Sequence, residues 1–475
     1  MNALEKLFIR IVQRVNINLR EQKFDAKPYV WDLIPKEQMT KFYAFYGISP
    51  DHPLNLQFKH SGLAGSYFLG KIQVSNSLLY KTDVRGDELK KKGDRFQFGQ
   101  FDIPVSRDEE IVIEDSAFVK TLVHNYSHDP ETLEKFFIKD TLSVHYANIH
   151  GSPSDGCFLG PFATVDLTTM RDCIIGTFSY VQAGEISHLN VDPGTVWVNS
   201  PRSFNFLYRF PLEKLKKYIH FVAGKQPEGI LMDFMESRKQ DFQRVFDVVN
   251  IDPLPDIPAT ASLDRYAVVN PVVEIGENVL VSQRAYLENA VLGKGANAQE
   301  NCFIINSWLE GNNVTAHGAK IIEADMGADV FVGFNSFLRG QADSRLTIGS
   351  ECIVMPHTII DITAPLTVPP NHLVWGMIQN KSDLETNSMP LSELATIRTS
   401  FSRGSMFLKG RARNLFPAFK GRIHHILEAN GAFYNEDDNT GQGHAQRNQN
   451  MGFNTIQPYP RGDHEGLFPT IVIQP

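Results

Sequence analysis

Four of the chain's fifteen histidines, His124, His128, His145 and His150, fall in the short stretch between Val123 and Gly151. Three neutral imidazoles that converge and leave one position open for water are what a catalytic zinc requires. The same residues spread over separate turns would be ordinary polar side chains. Their spacing is five residues from His145 to His150 and 21 from His124 to His145. Those steps acquire meaning from the period of the sequence around them.

Ile275, Val281 and Leu287 are six residues apart, as are Val332 and Leu338, and Ile348, Val354 and Ile360. Glycine follows several of them, in Ile275-Gly276, Val332-Gly333 and Ile348-Gly349. Earlier in the chain the pattern is more broken: Leu159-Gly160 leads to Val165, and Ile175-Gly176 to Val181. A period of six fits neither a helix nor one alternating strand. It fits short parallel strands joined by tight turns, three to a coil, with the aliphatic side chain inside. The pattern resembles the hexapeptide signature of the left-handed parallel β-helix. The expected fold is mainly β: two such segments, at 60–198 and 267–378, with connecting and C-terminal α-helices. With coils of about 18 residues, His124 and His145 would lie one coil apart once a bulge near residues 129–130 is looped out.

Residues 1–59 form an N-terminal helical segment, whose Leu4, Leu7, Phe8, Ile11, Val12 and Val15 make an apolar face for the body or a partner. Charges interrupt it, so it suits neither a signal peptide nor a membrane span. Residues 88–110, rich in lysine and glycine, read as a loop inserted in the first segment. Residues 199–266 hold helices at 210–224 and 228–249 and a proline-rich linker at 251–259. Residues 379–475 give helices at 390–397 and 416–431, then a polar, extended tail. The formal net charge of −8, from 46 basic and 54 acidic residues, offers no footprint for nucleic acid. Cys157, Cys173, Cys302 and Cys352 fit neither a CxxC site nor a disulfide scaffold, as expected of reduced thiols in the cytoplasm.

On this coil pattern, Leu122-Val123-His124, then His145-Tyr146-Ala147-Asn148-Ile149-His150-Gly151, with Arg85-Gly86-Asp87-Glu88 upstream, resembles the gamma-class carbonic anhydrases. The resemblance implies that His124, His145 and His150 bind zinc, or iron as in anaerobes. It implies that Arg85 and Asp87 form a structural ion pair near a subunit interface, that Glu88 relays protons, and that the chain forms a homotrimer acting on CO2 and bicarbonate. The family's water-orienting glutamine falls at Phe118 within Ser116-Ala117-Phe118-Val119. Phenylalanine cannot aim a metal-bound hydroxide, so CO2 hydration is expected to suffer more than metal binding.

The second segment resembles a degenerate copy. Asn297-Ala298-Gln299-Glu300 is similar to the group missing around Phe118, and His317 stands where the first histidine of H-x4-H would. Ile305 and Ile322 occupy the other ligand positions, so this segment cannot hold a three-histidine site alone. Gln299 or His317 would instead complement the first segment. Two alternatives stand beside the metalloprotein. The hexapeptide acyltransferases use a single histidine as general base with an acyl-CoA donor and no metal, and His317 is the residue here. A non-catalytic trimeric scaffold is the other. His128 reads as a loop histidine.

Overall fold

The computed structural model describes residues 2–30, 39, 43–49, 52–98, 100–125, 133–201, 203–246, 256–270, 272–411, 414–457 and 467–474. His128, the bulge expected at residues 129–130 and residues 251–255 of the linker lie outside them. The chain is mainly β, and most of its strand pairs are parallel. It divides into two units: Met1–Thr195 with Leu212–Ile230 and Met451–Pro475, and Val196–Pro211 with Leu231–Asn450.

In the first unit each coil strand pairs in parallel with its counterpart on the next coil. Leu122–His124 lies between Asp83–Arg85 and Asn148–His150, and Ala117–Val119 between Leu78–Tyr80 and Leu142–Ser143. Glu110–Glu114 lies between Lys71–Ser75 and Lys135–Lys139. Each sheet thus stacks one residue per coil in a buried column, such as Val84, Val123, Ile149, Val165 and Val181. Phe118 belongs to such a column, in register with Leu79 and Ser143 and fully buried. It fills the core, a packing role that the expectation drawn from the family's glutamine position did not include.

The N-terminal helix Ala3–Asn18 starts at a capping box between Asn2 and Glu5. Its apolar face covers Leu78, Ala117, Leu142, Phe158 and Ile174, one residue from each of five successive coils. The polar edge of the helix follows the coil corners. Arg10 pairs with Asp115, Arg14 Nη2 lies 3.3 Å from Asp140 Oδ2, and Gln22 donates to the Asp172 carbonyl at 2.7 Å. A four-residue step along a helix advances about 6 Å and one coil about 4.8 Å, close enough for the two series to stay in step. The helical reading of residues 1–59 holds here but not throughout, because Ala44–Ile48 and Asn55–Lys59 are already strands. The tail segments Gly452–Ile456 and Ile471–Ile473 pair antiparallel with those two strands and cover their edges. The inserted segment is a β-hairpin, Arg95–Phe98 with Phe101–Pro104, where a loop was expected.

The second unit repeats the coil more regularly. Val281, Ala298, Thr315, Val332, Val354 and Val374 form one buried column, and Leu287, Ile304, Ile321, Leu338, Ile360 and Ile378 another. A third runs through Leu292, Leu309, Met326, Ile348 and Val368. The residues six apart in sequence therefore alternate among the three columns, which is why the period is legible. At one corner, Asn289, Asn306 and Glu323 all take left-handed backbone angles (φ 44°, 49° and 50°) and form a ladder. Asn289 Nδ2 donates to Asn306 Oδ1 at 3.0 Å, Asn306 Nδ2 to Glu323 Oε1 at 2.7 Å, and Arg345 Nη1 to Glu323 Oε2 at 3.0 Å. Asn306→Ala loses both amide bonds and leaves the left-handed corner to a side chain that cannot hydrogen-bond. It is expected to cost about 2 kcal/mol, measured by thermal melts.

The C-terminal helix Leu415–Asn430 ends at Gly431, whose φ of 82° explains the Asn-Gly stop. The connecting region gives the short helices Leu212–Leu215, Ile230–Ser237 and Lys239–Val245. Among the described residues no helix is long and apolar enough to cross a membrane.

Candidate active site

Side chains alternate along a strand, so residues beside the buried columns point out of the coil. In the first unit one such row is Arg85, His124, His150 and Asp166, aligned by register on four successive strands. The Arg85 guanidinium grips Asp87 with two bonds, Nε–Oδ1 at 3.2 Å and Nη2–Oδ2 at 2.8 Å. Asp87 Oδ1 lies 3.3 Å from His124 Nε2. His150 Nδ1 lies 2.8 Å from Asp166 Oδ1, and the Tyr180 hydroxyl donates to Asp166 Oδ2. If Asp166 is ionised it only accepts, and His150 would then carry its proton on Nδ1 and keep Nε2 basic. The two imidazoles are neighbours, with ring centroids 5.1 Å apart.

Of the three histidines expected to converge, this unit brings His124 and His150 together. The partner of Leu122–His124 is the strand that ends at His150, so the coil between them is longer than the expected one. His145 sits a corner earlier, beside Tyr146, both at left-handed angles (φ 38° and 66°). Among the described residues His145 does not converge with His124 and His150 on a common point. Glu88, the expected proton relay, is half-buried in the turn that follows Asp87.

In the second unit, strand Val314–Thr315, His317 and strand Lys320–Ile322 repeat the spacing of Leu142–Ser143, His145 and Asn148–His150. His317 is thus the counterpart of His145, and Ile322 of His150. The register of Ala298 with Thr315 and of Phe303 with Lys320 places Glu300 directly below His317, one coil back. Glu300 Oε2 lies 2.7 Å from His317 Nδ1, and both side chains are 4% exposed. The Phe334 ring flanks the imidazole from the next coil, at 5.2 Å between centroids. Nδ1 faces the carboxylate at ion-pair distance but not in hydrogen-bond geometry; a proton on Nδ1 would leave Nε2 as the basic nitrogen. Gln299, the residue singled out by motif, is only half-buried, and its neighbour Glu300 is the one that meets the histidine.

Lys320 follows soon after His317 and is 1% exposed. It stands in register between Phe303 and Phe337, and its ammonium donates to the Gly318 carbonyl. Burial lowers its pKa from the usual 10.5 to about 7. Below pH 7 the folded chain bears the full cost of a buried ammonium. Between pH 7 and 10.5 the unfolded chain holds a proton that the folded one does not, so stability rises with pH across this window. Lys320→Met removes the dependence. The stability gap between variant and wild type is expected to shrink by an amount on the order of a few kcal/mol as pH rises from 7 to 10.5, read from urea unfolding. Cys302, one coil away, has its thiol pushed up to about 12 by burial, as suits a packing residue.

Glu300, Asp166, Tyr180 and Lys320 did not emerge from sequence reasoning. The signal available for the first two was coil spacing: Glu300 stands close to one coil length before His317, and Asp166 close to one coil length after His150.

The sequence pattern named "Hexapeptide repeat including loop" matches residues 101–223. A crystal structure from Desulfovibrio desulfuricans G20, described as a "putative acetyltransferase", is 51% identical and covers 100% of this chain and 99% of its own, with a TM-score of 0.94. A Bacillus cereus protein given the same description is 13% identical over 35% of this chain and 90% of its own. Its TM-score of 0.20 is too low to bear on the fold. No curated protein sequence matches the chain. The chain belongs to the hexapeptide-repeat transferase superfamily.

Proposed function

We propose that the chain is an acyltransferase on a left-handed parallel β-helical scaffold, with His317 as general base and an acyl-CoA thioester as donor. The observation that carries this reading is the 2.7 Å contact between Glu300 Oε2 and His317 Nδ1 in a buried setting. The description of the D. desulfuricans relative supports it over CO2 hydration.

His317 Nε2 takes the proton from an acceptor hydroxyl or amine as its oxygen or nitrogen attacks the thioester carbonyl. The tetrahedral intermediate collapses, the C–S bond breaks, and the imidazolium returns the proton to the leaving thiolate. Glu300 holds the tautomer that leaves Nε2 free and stabilises the transient imidazolium. That interaction is stronger in a dry setting than in water. The homotrimer that accompanies this reading is checked by light scattering.

Binding is tested by thermal melts with acetyl-CoA. At 100 times its dissociation constant a ligand adds about 2.7 kcal/mol, so a melting point raised by several degrees is expected. No rise at millimolar acetyl-CoA would remove the donor from the account.

A second reading, metal binding in the first unit, is favoured by the adjacent His124 and His150. Each faces a carboxylate, as ligand histidines commonly do. Zinc or iron held by His124 and His150 would supply a Lewis acid, and His145, which does not converge with them in this unit, is not a ligand in this arrangement. Metal content per chain, compared between wild type and His150→Ala, tests it. Equal content in both would end this reading.

A further inference from the structure

We infer that Lys320 is a positioning residue for His317: through its bond to the Gly318 carbonyl it locks the turn that aims the imidazole at Glu300. The assignment rests on His317 being the base proposed above. The turn is held from every other side by backbone. Gly318 N–H donates to the Glu300 carbonyl at 2.9 Å, the His317 carbonyl accepts from Asn335 N–H at 3.0 Å, and Ala319 N–H closes onto the Ala316 carbonyl at 3.0 Å. The Gly318 carbonyl is the group that Lys320 holds. Gly318 itself has a left-handed φ of 74°, and a Cβ there would meet Asn335 Oδ1 at 2.3 Å. The Gly318–Ala319 peptide is held at its N–H by the Ala316 carbonyl, and the Lys320 bond fixes its carbonyl end as well. A buried amine is a costly way to tie it, since methionine would fill the same channel between Phe303 and Phe337. That cost is spent next to His317, where a small rotation of the turn moves the ring off its carboxylate.

The test separates donor from volume in the full-length chain. Lys320→Met keeps the volume and loses the donor; Lys320→Gln loses the charge and keeps an N–H for the Gly318 carbonyl. The readout is the imidazole tautomer of His317 in histidine-labelled protein by nitrogen-15 NMR, assigned with His317→Gln. Wild type and Lys320→Gln are expected to show the Nδ1–H form, and Lys320→Met a mixture of both tautomers. In acetyl-CoA turnover, kcat for Lys320→Met is expected to fall about tenfold with KM unchanged, as when an orienting partner is lost. A folded Lys320→Met with the wild-type tautomer overturns the assignment. So does Lys320→Gln with mixed tautomers, which also decides the matter if the methionine variant does not fold. A shifted tautomer in Lys320→Met, with no acyl transfer by wild type, would leave the positioning role standing and remove the acyltransfer reading instead.

Discussion

His317→Ala is expected to lower acyl transfer from acetyl-CoA by about 10²–10⁴-fold, the usual contribution of a positioned general base. It is expected to lower the melting temperature as well, because it leaves the buried Glu300 carboxylate without the imidazole it faces. The fold survives, since His317 lies at a coil corner, outside the three aliphatic columns that hold the second unit together. Glu300→Gln keeps an acceptor at Nδ1 but loses the charge that stabilises the imidazolium, so a smaller loss of about 10–100-fold is expected. The pair acts as a unit, and the double variant should be no worse than His317→Ala alone. Steady-state rates of thiol release, with melts on the same preparations, check all three. Equal activity in wild type and His317→Ala would show that the base is another residue.

Asp87→Ala is expected to be among the most damaging single changes to stability, at about 3–5 kcal/mol. Arg85 is 1% exposed and makes both of its bidentate bonds to Asp87. Removing the carboxylate takes away both bonds that Asp87 gives the buried guanidinium, and breaking one side of a buried pair costs more than the pair contributes. The double variant Arg85→Met with Asp87→Ala should recover most of the loss, because an apolar side chain tolerates the same site. Denaturant midpoints of the three variants test this. A double variant no better than Asp87→Ala would mean that the damage comes from lost packing instead. Since Asp87 also faces His124, the change is expected to disturb the histidine pair even in molecules that stay folded.

Much of the scaffold was legible because a coil imposes its period on the sequence. Ile275, Val281 and Leu287 face one interior from three successive sides, and nothing but an inward aliphatic position explains a step of six. The Asn-Gly stop at residues 430–431 and the apolar face from Leu4 to Val15 were legible for equally local reasons. The antiparallel tail strands were not, since Gly452–Ile456 is short and takes its conformation from Ala44–Ile48, at the other end of the chain. The candidate site was half legible. Histidine types and spacing drew attention to the right residues, but neighbours in a coil are fixed by coil length. The coil that starts at His124 closes at His150 and is longer than expected, so His150, and not His145, became the neighbour of His124. In the second unit the motif pointed to Gln299, just short of the residue that matters. Glu300 precedes the left-handed Asn301 just as His317 precedes the left-handed Gly318, and equivalence of corner position outweighs likeness of motif.

The acyl transfer proposed here depends on a carboxylate-facing histidine in the second unit. Its most direct measurement is the release of free CoA thiol from acetyl-CoA by the full-length protein, across a panel of amine and hydroxyl acceptors. Acceptor-dependent thiol release is expected to disappear in His317→Ala and to persist in His150→Ala. Thiol release lost in His150→Ala but kept in His317→Ala would contradict it.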